Sequence, residues 1–362
     1  MPDTHRVTLV IPVHNGAGSL EALFADIEKL LGADVVFVDD GSTDGSAGLL
    51  LSFAEKHPHV RVIVHEKNIG VTKARRSAVM TVTTPYIMFA DCDDRLPVPD
   101  APVRLADAMD AGGYDLIMFD TDIVFDPSVP EGSYKENLRK NLRFEKQLPA
   151  GADYNRLMFV EQTMNGPLLW NKIYRTAPVR WANEQLEGAV IPLGQDQITI
   201  FLILTQVSSI GTCENSFFYQ YHVGGGVSTR PFETPERLRL LAHQADGWHF
   251  LEKILRQQGL WEACSESWNA VYAKFCSGML TNWAACPDAA FRKELLRELP
   301  EIWGADLVRS LLPEILLERV AQLEEERNAL RESERRLLSS PRWRIGGAAL
   351  WLPKKIRGLL RR

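Results

Sequence analysis

In the amino-terminal part of the chain, short wholly apolar runs alternate with longer stretches whose apolar residues recur every three or four positions. Val7 to Val13 (VTLVIPV) is a β-branched run interrupted by Pro12 and followed by His14-Asn15-Gly16, the pattern of a strand that ends in a loop. Leu20, Leu23, Phe24, Ile27, Leu30 and Leu31 then trace one face of a helix, with Ser19 as its expected N-cap. Asp34 to Asp40 (DVVFVDD) predicts a second buried strand, and Gly41 to Ser46 (GSTDGS) turns the chain into another helix. Val60 to Val64 predicts a third strand, about Val71 to Met80 a helix, and Tyr86 to Ala90 a fourth strand that stops on Asp91, Asp93 and Asp94. Apolar strands separated by helices with short connections imply right-handed crossovers, hence an α/β, doubly wound, mostly parallel sheet.

In such a sheet ligands bind outside the carboxyl ends of the strands. Three successive strands deliver polar groups there: His14 and Asn15, then Asp39 and Asp40, then Asp91 and Asp93. Carboxylates at i and i+2 repel each other unless a cation intervenes, and Mg²⁺ or Mn²⁺ held jointly with nucleotide phosphates would supply one. The competing view of these acids is a solvated turn. The sequence contains neither GxxxxGK[ST] nor GxGxxG, which argues against a P-loop kinase and a dinucleotide oxidoreductase.

Composition adds bounds rather than chemistry. The 362 residues are 45% hydrophobic and 24% charged, ordinary for a globular protein. Five cysteines, scattered and never spaced CxxC, indicate neither a disulfide framework nor a zinc site and suggest a reducing compartment. No charged segment followed by a long apolar core opens the sequence, and no apolar run reaches the ~20 residues of a spanning helix, so neither export nor a transmembrane segment is expected. Net charge is −6, yet Pro341 to Arg362 holds seven Lys or Arg and no acid, which sets a basic tail on an acidic body.

Four stretches together, VTLVIPVHN (7–15), VVFVDDGSTDGS (35–46), NIGVTKARRSAV (68–79) and YIMFADCDD (86–94), resemble the family-2 glycosyltransferases with the GT-A fold, of the bacterial cell-surface glycan type. The resemblance implies a nucleotide-sugar donor. Pro12 and His14 would line the nucleoside pocket beside Asn15, Asp40 would bond the base, Asp91 would lie near the ribose, and Asp93, with Asp91, would hold the metal. Asn68, Lys73 and Arg75 come from the NxGxxxAR stretch; Lys73 and Arg75 would approach the donor or sit on a solvated helix face. Asn165 to Tyr174 resembles the family's WxKxY element, with Trp170 and Tyr174 as packing residues first and acceptor contacts second, and Lys172 less easily assigned. Gln195-Asp196 falls where relatives carry an ED pair whose Asp is the catalytic base. Gln195 departs from that pattern and leaves Asp196 as the only carboxylate there; its competing role is a helix N-cap. Tyr219 to His222, followed by three glycines and Val227-Ser228, resembles the YRxxxxS segment that closes the donor site. There His222 would contact phosphate or metal, or be structural, and the glycines would form a mobile lid.

The implied activity is an inverting transfer to a hydroxyl of a glycan or lipid-linked glycan. Two other classes remain open: a sugar nucleotidyltransferase, which would want a basic glycine-rich loop after the first strand, and a non-catalytic nucleotide-sugar scaffold, suggested by Gln195. The expected organisation is a catalytic domain over 1–230, a helical region over 231–312, a coiled-coil helix over 313–340 and a basic amphipathic tail over 341–362. Phe125 to Glu161 is charged and irregular, either touching the acceptor or forming a surface excursion. Trp248, Trp261, Trp268 and Trp283 read as core. Leu316, Leu323, Leu330 and Leu337 recur every seven residues, with Arg327 and Glu334 weakening the repeat, so 316–337 is a homodimer helix or a single solvated spacer. The tail mixes tryptophans and aliphatics with its basic residues, which fits a membrane surface on the cytoplasmic inner face better than nucleic acid.

Overall fold

The computed structural model describes residues 5–339 except 130, 143, 145–147, 192, 215–216 and 225–233. Strands β1 (Val7–Val13), β2 (Ala33–Asp39), β3 (Val60–Val64) and β4 (Tyr86–Phe89) alternate with α1 (Ala17–Ile27), α2 (Ser46–Ala54) and α3 (Val71–Val79). Helix α4 (Ala101–Gly112) leads to β5 (Leu116–Phe119) and β6 (Thr121–Phe125), then α5 (Ser133–Asn141) and a π-helical turn at Arg156–Glu161. After them come β7 (Lys172–Arg175), α6 (Thr176–Gln185), α7 (Gln195–Leu204), β8 (Ile210–Cys213) and β9 (Tyr219–Val223). Helices α8 (Pro235–Ala242), α9 (Ala245–Gln257), α10 (Trp261–Ala285), α11 (Ala289–Trp303) and α12 (Ala305–Ser339) complete the described chain.

The main sheet runs β3-β2-β1-β4-β7-β5-β8, and β6 pairs with β9 in a second, two-stranded sheet. β1 lies parallel between β2 and β4, with Val7 opposite Ala33 and Tyr86, so the three strand ends carrying the acids are neighbours. The doubly wound, mostly parallel expectation holds, with β7 as the antiparallel insertion between β4 and β5. Every residue of β1 and β4 is buried, as strands covered by helices on both faces require.

Several local expectations are corrected. Helix α1 begins at Ala17 with Gly16 as its N-cap, so Ser19 lies inside the helix rather than capping it. The stretch from Phe125 to Glu161 contains α5 and the π-helical turn, and β6 ahead of it is held by β9, a long-range pairing that local periodicity does not show. The glycine segment and the basic tail lie outside the described residues.

The chain divides into two compact units, Met1–Cys276 and Ser277–Arg362. Helices α8 and α9 therefore fold with the sheet rather than apart from it. Trp248 of α9 is fully buried, sits edge-to-face with Phe159 and Phe201, and its carbonyl accepts from Trp268 Nε1. In the second unit α11 and α12 pack together, with Leu295, Leu299, Trp303, Val308 and Ile315 buried. Among the described residues no helix is long and apolar enough to cross a membrane.

Candidate active site

The loops after β1 and β2 hold one another through side chains. Asn15, in the left-handed region at φ 53°, accepts from Thr43 N through Oδ1 at 2.8 Å, while its own N donates to Ser42 Oγ at 2.9 Å. Gly16 N donates to Ser46 Oγ and Ala17 N to Asp44 Oδ2, both at 3.0 Å, so DDGSTDGS supplies the acceptors that the start of α1 lacks. His14 Nδ1 donates to the Asp40 carbonyl at 3.0 Å, which leaves Nε2 to accept from Asn15 Nδ2 at 3.2 Å. Pro12 is buried within β1 beneath this loop.

Asp40 is placed differently from its neighbours. Its carboxylate is 3% exposed and accepts from Ile69 N at 3.1 Å, Gly70 N at 2.9 Å and His65 Nδ1 at 2.9 Å. It ties β2 to the loop entering α3, and Gly41 allows that approach: at φ 69°, a Cβ there would fall 2.4 Å from Asn68 N. Asn68 is exposed and its Oδ1 accepts from Gly70 N, so it shapes the same loop. Lys73 is half-buried on α3.

Arg75, on the buried face of α3, joins the remaining acids. Its NH1 donates to Asp196 Oδ1 at 2.5 Å and its NH2 to Asp91 Oδ1 at 2.9 Å, with the arginine side chain 7% exposed. Burial alone would lower the guanidinium pKa; the charges of Asp196 and Asp91 and its bonds to them outweigh this and raise it. Asp91 is raised, chiefly by desolvation, with Arg75 opposing and the like charges of Asp196 and Asp93 adding. Asp196 stands in the first turn of α7, whose N-cap is Gly194 and carries no side-chain cap bond, so the N-cap role is corrected. Gly194 in the left-handed region precedes the start of α7 at Gln195.

A cavity of about 600 Å³ opens beside this network. His14, Asn15 and Gly16 line it from β1, Cys92 and Asp93 from the end of β4, Val124 to Pro127 from the end of β6, and His222 to Gly224 from β9. Asp93 is exposed and joins no ion pair among the described residues. His222 Nε2 is bonded to Gln220 Oε1 at 3.1 Å. Of the candidate residues, then, His14, Asn15, Asp93 and His222 share the cavity, Arg75 gathers Asp91 and Asp196, and Asp40 serves the framework.

Among the described residues no group of three or more His, Cys, Asp or Glu side chains forms a ready-made metal cage. The donors present still fit a hard divalent ion of the Mg²⁺ type, which is commonly held by one or two carboxylates and completed by phosphate oxygens and water. Asp93 is the uncommitted carboxylate; Asp91 has one oxygen engaged by Arg75.

Two groups that the sequence left without a role are buried and fully engaged. Asp94, next to Asp93, is 2% exposed: its Oδ2 accepts from Tyr219 Oη at 2.5 Å and its Oδ1 from His222 N at 2.8 Å. Tyr219 Oη also accepts from Asp91 N at 3.0 Å, so the DCDD turn and β9 are fastened at two points, with Trp170 stacked on Tyr219 and Tyr221. Desolvation, reinforced by Asp91, pushes the Asp94 carboxyl up to about 8. Lys172 is fully buried, and its Nζ donates to Gly166 O at 3.1 Å, Leu168 O at 2.8 Å and Asn171 Oδ1 at 2.6 Å. Burial pushes its pKa down against the pull of Asp196, while three acceptors match the three N–H bonds of an ammonium. Trp170 and Tyr174 are packing residues as expected.

Residues 8–166 match the profile described as Glycosyl transferase family 2. The chain is 29% identical over 98 residues to the Uncharacterized glycosyltransferase YibD of Escherichia coli (strain K12), covering 26% of this chain and 28% of that one. It is 24% identical over 177 residues to the Processive diacylglycerol beta-glycosyltransferase of Mycoplasma pneumoniae, covering 47% of this chain and 51% of that one. It thus spans 28% and 51% of the length of these curated relatives. Among solved structures, S. aureus TarS 1-349 in complex with UDP-GlcNAc superposes with a TM-score of 0.51 at 18% identity, covering 84% of this chain and 90% of that one. The likeness is one of fold: a mostly parallel sheet flanked by helices, of the GT-A type.

Proposed function

We propose, from the match of residues 8–166 to the glycosyl transferase family 2 profile, that the chain moves a sugar from a nucleotide-sugar donor, UDP-linked, to a hydroxyl of a glycan or lipid-linked glycan, with inversion at the anomeric carbon. One observation carries the reading: Arg75 bonds Asp91 at the end of β4 and Asp196 on α7 at once, which draws the proposed base to the edge where His14, Asn15 and Asp93 face an open cavity.

Each residue then has a role. His14 and Asn15 receive the nucleoside side of the donor, on a loop fixed by the β2 turn. Asp93 would hold Mg²⁺ or Mn²⁺, with the outer oxygen of Asp91 and His222 as further donors. When bound, that ion would neutralise charge building on the departing diphosphate. Asp196 removes the proton from the acceptor hydroxyl as it attacks. Arg75 occupies Asp196 Oδ1 and so leaves Oδ2 to take the proton. No covalent intermediate is needed, because deprotonation of the attacking hydroxyl by Asp196 and departure of the nucleoside diphosphate complete a single displacement. Lys172 pins the loop carbonyls at 166 and 168 behind the base and does not reach the substrate.

The lipid-linked acceptor draws support from the diacylglycerol named for one relative and from the basic, tryptophan-bearing sequence at 341–362, which suits attachment to the inner face of an anionic membrane. The test is a panel of UDP-, GDP- and TDP-sugars assayed for transfer and for hydrolysis with Mg²⁺ or Mn²⁺ present. Turnover of one nucleotide class with inversion is expected. Tight nucleotide binding without turnover on any donor would instead make the chain a sugar-nucleotide scaffold.

A further inference from the structure

Strands β6 and β9 form a ribbon whose two faces differ. Side chains alternate along a strand, and residues paired across the ribbon share a face. Ile123 and Phe125 with Tyr219, Tyr221 and Val223 make the inner face, where Tyr219 and Tyr221 stack on Trp170. Lys135 Nζ and Arg139 Cζ of α5 lie 4.9 and 5.0 Å from the Phe125 ring centre and fasten β6 from a second side. The other face carries Asp122, Val124, Gln220 and His222.

One carboxylate orders the polar groups of that face. Asp122 only accepts, so Gln220 turns its Nε2 to Asp122 Oδ2 at 2.9 Å and its Oε1 to His222 Nε2 at 3.1 Å. His222 therefore carries its proton on Nε2, and Nδ1 is left as an acceptor. Val124 and His222 line the cavity opposite each other, and Asp126 lines it about 7 Å farther along the strand.

Asp126 is held in place by backbone. Its N donates to Val223 O at 2.7 Å, its carbonyl accepts from Val129 N at 2.9 Å, and its Oδ1 accepts from Ser128 N at 2.7 Å. A Cβ on Gly224 would fall 2.3 Å from Asp126 Cβ, so glycine is what lets the two strand ends close. Hydrogen bonds from Ser128 hold the Asp126 carboxyl below its ordinary value, and it joins no ion pair among the described residues. An exposed, ionised carboxylate with no cation beside it repels phosphate. It suits hydroxyl donors instead, and Val124, 40% exposed on the same wall, offers the apolar surface that the C–H face of a pyranose covers.

We propose that Asp126 selects the sugar of the nucleotide-sugar donor by accepting hydrogen bonds from its hydroxyls, with Val124 packed against the ring. The inference rests on the glycosyltransferase reading and deepens it. Of the cavity wall, His14 and Asn15 go to the nucleoside and Asp93 and His222 to the ion, which leaves the end of β6 for the sugar.

The test is calorimetric titration of the full chain, with Mn²⁺ present, by UDP, GDP, UDP-glucose, UDP-galactose, UDP-N-acetylglucosamine and GDP-mannose. Asp126→Ala should weaken the preferred sugar nucleotide by roughly 10–100-fold, the loss of a hydrogen bond to a charged group, and leave its nucleoside diphosphate within about twofold. Asp126→Asn keeps an oxygen for Ser128 N and should fall between. A deoxy analogue of the preferred donor that lacks the recognised hydroxyl should bind the unaltered chain weakly and lose nothing further in Asp126→Ala. Equal weakening of nucleotide and sugar nucleotide, or none, overturns the role of Asp126 and leaves the transferase reading standing. Loss of the Mn²⁺ dependence of UDP or GDP binding in Asp126→Ala would make it an ion ligand and overturns that role as well. An unaltered chain that binds none of the six compounds removes the transferase reading and this inference together.

Discussion

Asp93 and Asp94 are consecutive residues of one turn and meet opposite surroundings. Asp93 is exposed on the wall of an open cavity, in no ion pair among the described residues. Asp94 is 2% exposed, with both oxygens engaged by Tyr219 and His222. The same contrast runs through the whole site. At the rim, His14, Asn15, Asp93 and His222 line the cavity, whereas Asp40, Asp94, Arg75 and Lys172 are committed to other side chains or to backbone. Acid content alone does not mark a candidate binding residue; a carboxylate on a cavity wall with no ion pair among the described residues is the better candidate.

Asp196 stands between these classes, with one oxygen bound to Arg75 and a side chain 20% exposed, and the largest effect is expected there. Asp196→Asn keeps the shape and a bond to Arg75 but cannot accept the acceptor's proton. Transfer should fall by roughly 10²–10⁴, the usual contribution of a general base, while labelled UDP binds as before. Turnover within a few-fold of the unaltered chain would move Asp196 into the framework class.

Asp93→Ala tests the rim in a different way. An exposed residue in no ion pair among the described residues contributes little to folding, so the unfolding free energy should stay within about 0.5 kcal/mol of the original. Nucleotide affinity should lose its dependence on Mn²⁺. If affinity still rises with Mn²⁺ as steeply as before, the ion is held elsewhere.

The contrast also explains how far the site was legible. Parallel strands of Val, Ile and Phe that stop on polar residues gave away β1, β2 and β4, because such runs have few other uses in a chain of this composition. His14, Asn15 and Asp93 followed from their position at those ends. Arg75 was assigned to the donor or to a solvated face, whereas it binds two carboxylates far apart in sequence, a partnership no local spacing encodes. Strand β7 was invisible for a similar reason: KIYR is four residues with a charge at each end, and its antiparallel entry depends on the path of the preceding chain. The β6–β9 pairing that builds the far wall of the cavity is likewise a contact across the sequence. Asp94 was read with Asp93 because they adjoin, and only the turn geometry separates them.

The sharpest test of that separation is expected at Asp94. Its carboxyl is raised from an ordinary value near 3.8 to about 8 by burial and by Asp91. The folded chain therefore holds a proton there that the unfolded chain gives up. That contribution to stability is fully present below the unfolded value and is lost as pH rises through the folded one. Asp94→Asn cannot titrate, still offers an oxygen to His222 N, and gives Tyr219 Oη a donor in place of an acceptor. Without metal or nucleotide, chemical denaturation of both proteins from pH 5 to pH 8 should show the asparagine variant gaining stability relative to the unaltered chain as pH rises, while the carboxyl beside it at Asp93 leaves the comparison unmoved because both proteins share it. A stability difference that stays flat over that range would mean Asp94 is as open to solvent as its neighbour, and the division between rim and framework would fail at the residue where it is drawn most narrowly.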